Sequence, residues 1–417
     1  MKFTASKEQA QALLYGLAIG DAYGTPFQFI EQLLVAKTED RASTDSVAAR
    51  GRLGPARAAD LFISTTGLGN VEHDRAKGVL IKPHWTSCIA TGVETIGPMP
   101  VGTWSDDTAL TLATIDSLAH TQGRLDVTDM RARFLSWLQD GAYTPDHCCR
   151  DCGATVARAL RQGYGCSGER DNGNGSLMRI APLALTDASD AEIMAISAVT
   201  HAHYWSTFSC VLWVHFLRFL LQGATLRLAL VSMLNYAQEV RGALVSQGSV
   251  ITASERYGHE RWARADPLIE IRVGESGVSE TTAINSLARD SSTCKNSTCA
   301  SSACESSTCE SSTCENYPIE RLTQVTSLSA AAVCPSGFVI DTLESALWAL
   351  LNSKSFEKVM VHSCQFGGDT DSIAAVAGSA AGIIYGLQGE QGIPARYLTE
   401  LWGQELLQKA LSQITAL

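Results

Sequence analysis

Residues 372–388 read SIAAVAGSAAGIIYGLQ, and this stretch decides the class of fold. Alanine is the strongest helix former, and a helix that is apolar all round must be buried. With glycine and alanine at so many positions, the segment predicts a buried helix that its neighbours approach closely. Helical spacing recurs outward from it. Leu112, Ile115 and Ala119 in 108–120 repeat at three or four residues, as do Met130, Phe134 and Leu138 in 127–140. Segments 5–20, 153–163, 190–200, 205–222, 225–247, 339–352, 355–361 and 396–416 also read as helical. The strict alternation of a half-buried strand is scarce. The fold expected is all-α, a multi-helix bundle larger than a four-helix bundle. Residues 31–103 carry turn residues without a sustained period, and 275–325 shift to Ser, Thr and Cys; the latter reads as a low-complexity insertion.

Of the 417 residues, 45% are hydrophobic and 18% charged, a balance that excludes wholesale disorder. The formal net charge is −11, the opposite of the basic bias that marks a nucleic-acid binder. No apolar run approaches the roughly 20 residues of a membrane-spanning helix. The longest, Cys210–Leu221, is interrupted by His215 and Arg218. The apolar run Ala12–Ile19 behind Lys2 and Lys7 has something of an export leader, but Glu8 and the Ser6–Gln9 capping-box pattern favour a first helix. The expected setting is therefore cytoplasmic, with the 13 cysteines as reduced thiols. Five of them (Cys294, Cys299, Cys304, Cys309 and Cys314) recur every five residues. Thiolates at regular spacing can hold zinc or copper. This period fits no zinc pattern and no His accompanies it, so a repeat expanded inside a surface loop is the stronger reading.

Two acidic clusters stand at helix starts: Ser105, Asp106 and Asp107 before 108–120, and Asp369, Asp371 and Ser372 before the Ala/Gly-rich helix. Each has a local excuse, since Ser and Asp cap helices and acids suit a first turn. One cap needs only one residue, however. Brought together, four carboxylates and two hydroxyls would repel unless cations lay between them, and hard oxygen ligands suit magnesium, manganese or calcium. Gly367 and Gly368 before Asp369 would let backbone come close to a ligand. The segment Asp171–Arg179 (DNGNGSLMR) forms a tight glycine loop whose amides could cradle an anion, although taken alone these residues read more readily as a plain turn. Gly20–Gln28 (GDAYGTPFQ) reads as a helix end with a glycine exit. Thr200–His203 (THAH) carries two histidines without the partners of a zinc site.

In this order, GLAIGDAYGTPFQF at 16–29, WSDDTAL at 104–110, GNGSLMRIAPL at 173–183, THAH at 200–203 and GGDTDSIAAVAGSAAGIIYG at 367–386 resemble the ADP-ribosylglycohydrolase family. VIDTLESALWAL at 339–350 is similar to the family's penultimate helical region, and the resemblance spans about residues 8–410. It implies a single all-α orthogonal bundle over 1–417 with loop insertions. It also implies a binuclear magnesium or manganese centre and cleavage of the bond joining ADP-ribose to an acceptor, often a modified arginine or serine side chain. Carried across, Ser105, Asp106, Asp107, Asp369, Asp371 and Ser372 would hold two Mg2+ ions (Mn2+ as the substitute), with Asp371 shared. Asp106 and Asp107 would be the catalytic pair, Asp107 taking the proton of the attacking water. Gln28, Gly173, Asn174, Gly175, Ser176, Met178, His201 and Gly368 would contact substrate, the loop holding the diphosphate. Partners would be an ADP-ribosylated protein or a small ADP-ribose derivative, with no nucleic acid and no membrane.

One departure stands out. Many members of the family carry Glu where this chain has Gln28, and an amide cannot act as a base. Either the position is not used, or Glu31 substitutes, or turnover falls; a non-catalytic ADP-ribose binder is the competing reading. An Asp-x-Asp phosphohydrolase is disfavoured, because that motif follows a strand early in an α/β domain, whereas here it sits late in a helical chain.

Overall fold

The computed structural model describes residues 5–28, 85–88, 93–96, 100–246 and 318–416. The first helix, α1 (Lys7–Gly24), starts on the capping box read from sequence: Ser6 Oγ accepts from Gln9 N, and Gln9 Oε1 accepts from Ser6 N. It does not end at Gly20. It runs four residues further and passes into a 3₁₀ turn over Thr25–Phe27. The glycines taken for a helix exit are a packing face. A Cβ on Gly20 would stand 2.0 Å from the Ala374 carbonyl oxygen, and one on Gly24 would stand 2.4 Å from the Asp371 Cα. Both neighbours belong to α10 (Thr370–Tyr385), the Ala/Gly-rich helix. The two helices therefore touch backbone to backbone through the core, and this contact brings Asp21 alongside Asp371. A Gly20→Ala change has nowhere to put its methyl group except against main chain. The expected cost is about 1–3 kcal/mol, measurable as a lowered unfolding free energy in denaturant.

The remaining helices wrap this pair. They are α2 (Asp106–His120), α3 (Val127–Asp140), α4 (Ala154–Gln162), α5 (Asp190–Ser197), α6 (Tyr204–Leu221), α7 (Leu226–Ser246), α8 (Val339–Leu351), α9 (Phe356–Cys364), α11 (Ala395–Glu400) and α12 (Gln404–Ile414). α8 and α9 lie on α10, α7 and α5 on α6, and α3 and α12 on α2. The expected all-α class holds, with one two-stranded antiparallel hairpin among the described residues, Trp85–Cys88 with Val93–Ile96, in the stretch expected to be irregular. The helix expected over 396–416 is two, broken at Leu401–Gly403, where Gly403 takes the left-handed conformation against the Trp104 and Pro145 side chains. The cysteine repeat at 294–314 lies outside the described residues. Among the described residues no helix is long and apolar enough to cross a membrane. The apolar α6 is an interior helix whose Trp213 and Phe216 rings are fully buried.

Candidate active site

α1, α2 and α10 converge at their polar ends, and the order of the sequence explains how. Asp21 sits in an otherwise apolar run, Ala18-Ile19-Gly20-Asp21-Ala22, so the fold must bury a carboxylate. It does so by giving Asp21 the start of α2. Asp21 Oδ1 accepts from Ser105 N at 2.8 Å; Oδ2 accepts from Thr108 N at 2.9 Å and from Thr108 Oγ1 at 2.7 Å. Thr25 Oγ1 adds a contact of 3.2 Å to Oδ1. A carboxylate from another helix thus satisfies the amide donors that a local cap would have served.

Because Asp21 takes the cap, the residues at the start of α2 are released from it. Ser105 makes no side-chain capping bond, and its hydroxyl donates to Asp107 Oδ2 at 3.0 Å. The same holds for the second cluster, since Asp369 precedes α10 without a side-chain cap. The two clusters, far apart in the chain, meet: Ser372 Oγ lies 3.5 Å from Asp107 Oδ2 and 3.9 Å from Met178 Sδ. Carboxylate oxygens of Asp21, Asp107 and Asp371 lie within 4.8 Å of one another, all buried. The capping excuse therefore fails on both sides.

Two residues outside the expected ligand and substrate set belong here. One is Asp21. The other is Asp151, held at φ +53°, a backbone region that costs a non-glycine residue energy. Gln28 Nε2 donates to Asp151 Oδ2, so the glutamine amide holds one of the acids of the site. Asp21 was legible in principle as a charge within a buried helical face. Asp151, in the loop Cys148-Cys149-Arg150-Asp151-Cys152, carries no periodic signature.

The electrostatics follow from burial and crowding. Burial, then the charges of neighbouring carboxylates, hold Asp106, Asp107 and Asp371 well above the usual carboxylate range. Burial also raises Asp21 and Asp369, against the hydrogen bonds they accept. Asp151 is pushed up to about 6 by burial and the Asp369 charge, against the Gln28 bond. Among the described residues no Lys or Arg forms an ion pair with any of the six. Asp107 Oδ1 and Asp371 Oδ2 are buried without a hydrogen-bond partner among the described residues. Oxygen donors, uncompensated negative charge and two orphaned carboxylate oxygens fit a hard divalent cation.

The glycine loop reaches the acids directly. Asn174 Nδ2 donates to Asp369 Oδ2 at 2.6 Å and to Thr342 Oγ1 at 2.9 Å. Two of its amides are engaged within the protein, Asn174 N with Gly337 O and Met178 N with Asn174 O. The Ser176 hydroxyl points inward to Ser197 and Cys210, away from the acids. Gly367 and Gly368 both take positive φ, and a Cβ on Gly368 would run into the Pro335 carbonyl, so glycine is needed there for packing. His201 is buried under the loop, its ring 2.8 Å from where a Gly175 Cβ would stand. Burial, with the Arg179 and Arg158 charges, pushes the His201 imidazole down to about 3. Below about pH 6.5 the unfolded chain then binds a proton that the folded chain does not, so His201 costs about 1.4 kcal/mol of stability per pH unit as acidity increases. Denaturant titrations should show any stability advantage of wild type over His201→Gln shrinking as pH falls below about 6.5.

A model of the ADP-ribosylglycohydrolase family matches residues 4–417. The chain belongs to the ADP-ribosylglycohydrolase family. It is accordingly a hydrolase of glycosidic bonds. Among similar proteins is the ADP-ribosylarginine hydrolase Tri1 of Pseudomonas putida (strain GB-1), 26% identical over 368 residues, covering 82% of this chain and 78% of that protein. The ADP-ribosylarginine hydrolase Tri1 of Serratia proteamaculans (strain 568) is 24% identical over 368 residues, 82% of this chain and 79% of that protein. The ADP-ribosyl-dinitrogen reductase glycohydrolase of Rhodospirillum rubrum is 33% identical over 117 residues, 26% of this chain and 38% of that protein. A solved structure described as an ADP-ribosylglycohydrolase-related protein complex covers 98% of both chains with a TM-score of 0.52 and 18% identity, which speaks to the fold alone. In this ADP-ribosylglycohydrolase the polar ends of α1, α2 and α10 are the candidate active site.

Proposed function

We propose that the protein is a metal-dependent hydrolase of the cytoplasm. It would cleave the glycosidic bond between ADP-ribose and a mono-ADP-ribosylated protein side chain, arginine first and serine second. The observation that carries this is the convergence of Asp107 and Asp371, each with an orphaned buried oxygen, beside the Asn174 loop. The relatives named as ADP-ribosylarginine hydrolases favour arginine as the acceptor.

Ser105, Asp106, Asp107, Asp369, Asp371 and Ser372 would hold two Mg2+ ions, or Mn2+ in their place, with Asp371 shared. When bound, the ions would supply Lewis-acid polarisation and the positive charge the cluster lacks. The chain's own groups do the rest. Asp107 Oδ1 accepts no hydrogen bond and is the base assigned to the attacking water. The remaining carboxylates stabilise the positive charge that develops on the ribose. Asp151, with its carboxyl raised to about 6 and one oxygen tied to Gln28, can carry a proton near neutral pH. In this reading Gln28 positions that acid instead of acting as a base. Gly173, Gly175 and the backbone around Ser176 would meet the diphosphate, because the Asn174 and Met178 amides are already engaged.

The test is release of ADP-ribose from arginine- and serine-linked substrates by the full chain, with and without EDTA. Release that depends on added Mg2+ or Mn2+ is expected. No metal-dependent release from either acceptor would refute the reading, and tight ADP-ribose binding without turnover would turn it toward a binding protein.

A further inference from the structure

Arg179 is fully buried, yet among the described residues no carboxylate contacts it. Its guanidinium donates to the carbonyls of Gly175 (3.4 Å), Ser176 (3.5 Å) and Ile196 (3.2 Å), and to Thr200 Oγ1 at 3.0 Å. It lies 4.7 Å from the Phe134 ring centroid, and its Nε has no partner. The Asp106 charge acts on it only through space, and a buried cation with no carboxylate in contact is expensive, so its placement calls for a reason. Three of its four acceptors belong to the glycine loop or to Thr200, beside His201.

The bond to Thr200 sets a direction. Thr200 Oγ1 accepts from Arg179, and the other group it contacts is His201 Nδ1 at 2.9 Å. A hydroxyl has one hydrogen, and if Nδ1 were protonated the Thr200 hydrogen would have no acceptor. Thr200 therefore donates to Nδ1, and the His201 hydrogen sits on Nε2. Nε2 lies 3.3 Å from where a Gly173 Cβ would stand and 3.5 Å from the same point on Gly175. It has no protein partner among the described residues. The ring is thus held against the loop with one donor left over, on the loop whose Asn174 reaches Asp369.

We propose that Arg179 and Thr200 are positioning residues that lock His201 as its Nε2–H tautomer, so that Nε2–H is offered to an anionic oxygen of phosphate type beside Gly173 and Gly175. The phosphate as ligand rests on the ADP-ribose reading above; the lock does not. Burial and the arginine charges keep the ring neutral, so the donor persists throughout the working pH range.

The experiment is nitrogen NMR of the imidazoles in the full chain carrying ¹⁵N-histidine, with His201 assigned by its loss in His201→Gln. The expected spectrum has a protonated Nε2 and a bare Nδ1, unchanged between about pH 5 and 8. Thr200→Val should mix the tautomers and weaken ADP-ribose binding, read by calorimetry, about tenfold, while Thr200→Ser restores both. A protonated Nδ1 in the wild-type protein would overturn the proposal whatever the variants do. So would a Thr200→Val protein with unchanged tautomer and affinity. A locked tautomer in a protein that binds no ADP-ribose would uphold the lock and refute the ligand.

Discussion

Asp371→Asn is expected to lower ADP-ribose release by about a hundredfold or more and, at the same time, to raise the melting temperature of the protein in EDTA. The two effects share one cause. Asp371 is fully buried; its Oδ1 accepts from Ser372 N at 2.9 Å, and its Oδ2 accepts nothing. Burial and then the charges of Asp369, Asp151 and Asp107 push its carboxyl well above the ordinary range. A carboxyl raised in this way holds its proton in the folded chain when the unfolded chain has released it. Its contribution to stability is therefore complete below about pH 4 and is lost as pH rises toward the folded value. Asparagine removes that loss. At pH 7 without metal the gain should be about 1–2 kcal/mol. For a chain of this length that is about 2 °C, and the gap should close toward pH 4. Added Mg2+ or Mn2+ should reverse the order, since the wild type gains a counter-charge and the variant does not. Thermal melts across pH with EDTA or metal, beside the release assay, make the measurement. A variant that melts lower in EDTA at pH 7, or that keeps its activity, would refute the account.

The sequence carried much of this site, and the physical reasons for the gaps are specific. Ser105, Asp106, Asp107, Asp369, Asp371 and Ser372 stood out because a cap needs one polar residue and three were present. What remained open was whether they capped their own helices, and nothing local decides that. The answer lies in Asp21, which takes the α2 cap from a distant part of the chain. Asp21 was passed over because its glycine neighbours were read as a helix exit, whereas Gly20 and Gly24 are small in order to touch α10. A glycine that ends a helix and a glycine that admits a neighbouring backbone look alike in one dimension. Residues 372–388 also carry Gly378, Ser379 and Gly382, and they read as a buried, closely approached helix because the alanines around them sustain the helix. Asp151 had no signature at all, since its place depends on one left-handed residue in a loop. The break at Leu401–Gly403 escapes a reading of periodicity because both halves keep helical spacing and the groups that crowd the junction, Gly102, Trp104 and Pro145, come from distant parts of the chain.

Asp21→Ala should behave in the opposite sense to Asp371→Asn, although the two carboxylates are neighbours of similar burial. Asp371 has an oxygen that nothing among the described residues satisfies; both oxygens of Asp21 are satisfied, by Ser105 N, Thr108 N, Thr108 Oγ1 and Thr25 Oγ1. Removing Asp371's charge relieves repulsion. Removing Asp21 leaves buried donors at the first turn of α2 without an acceptor, each costing about 1–3 kcal/mol. The expected loss is about 3–5 kcal/mol, a fall of roughly 5 °C in the melting temperature, with or without metal. Activity should fall as well, because the start of α2 carries Asp106 and Asp107, and their placement depends on that cap. The comparison decides the role of Asp21 within the cluster. If Asp21→Ala melts higher than wild type in EDTA, Asp21 is one more repelling carboxylate and its place is among the cation ligands. If it melts lower in both conditions, Asp21 is the anchor that fixes α2 against α1, and the cation set is built from the residues this anchoring releases.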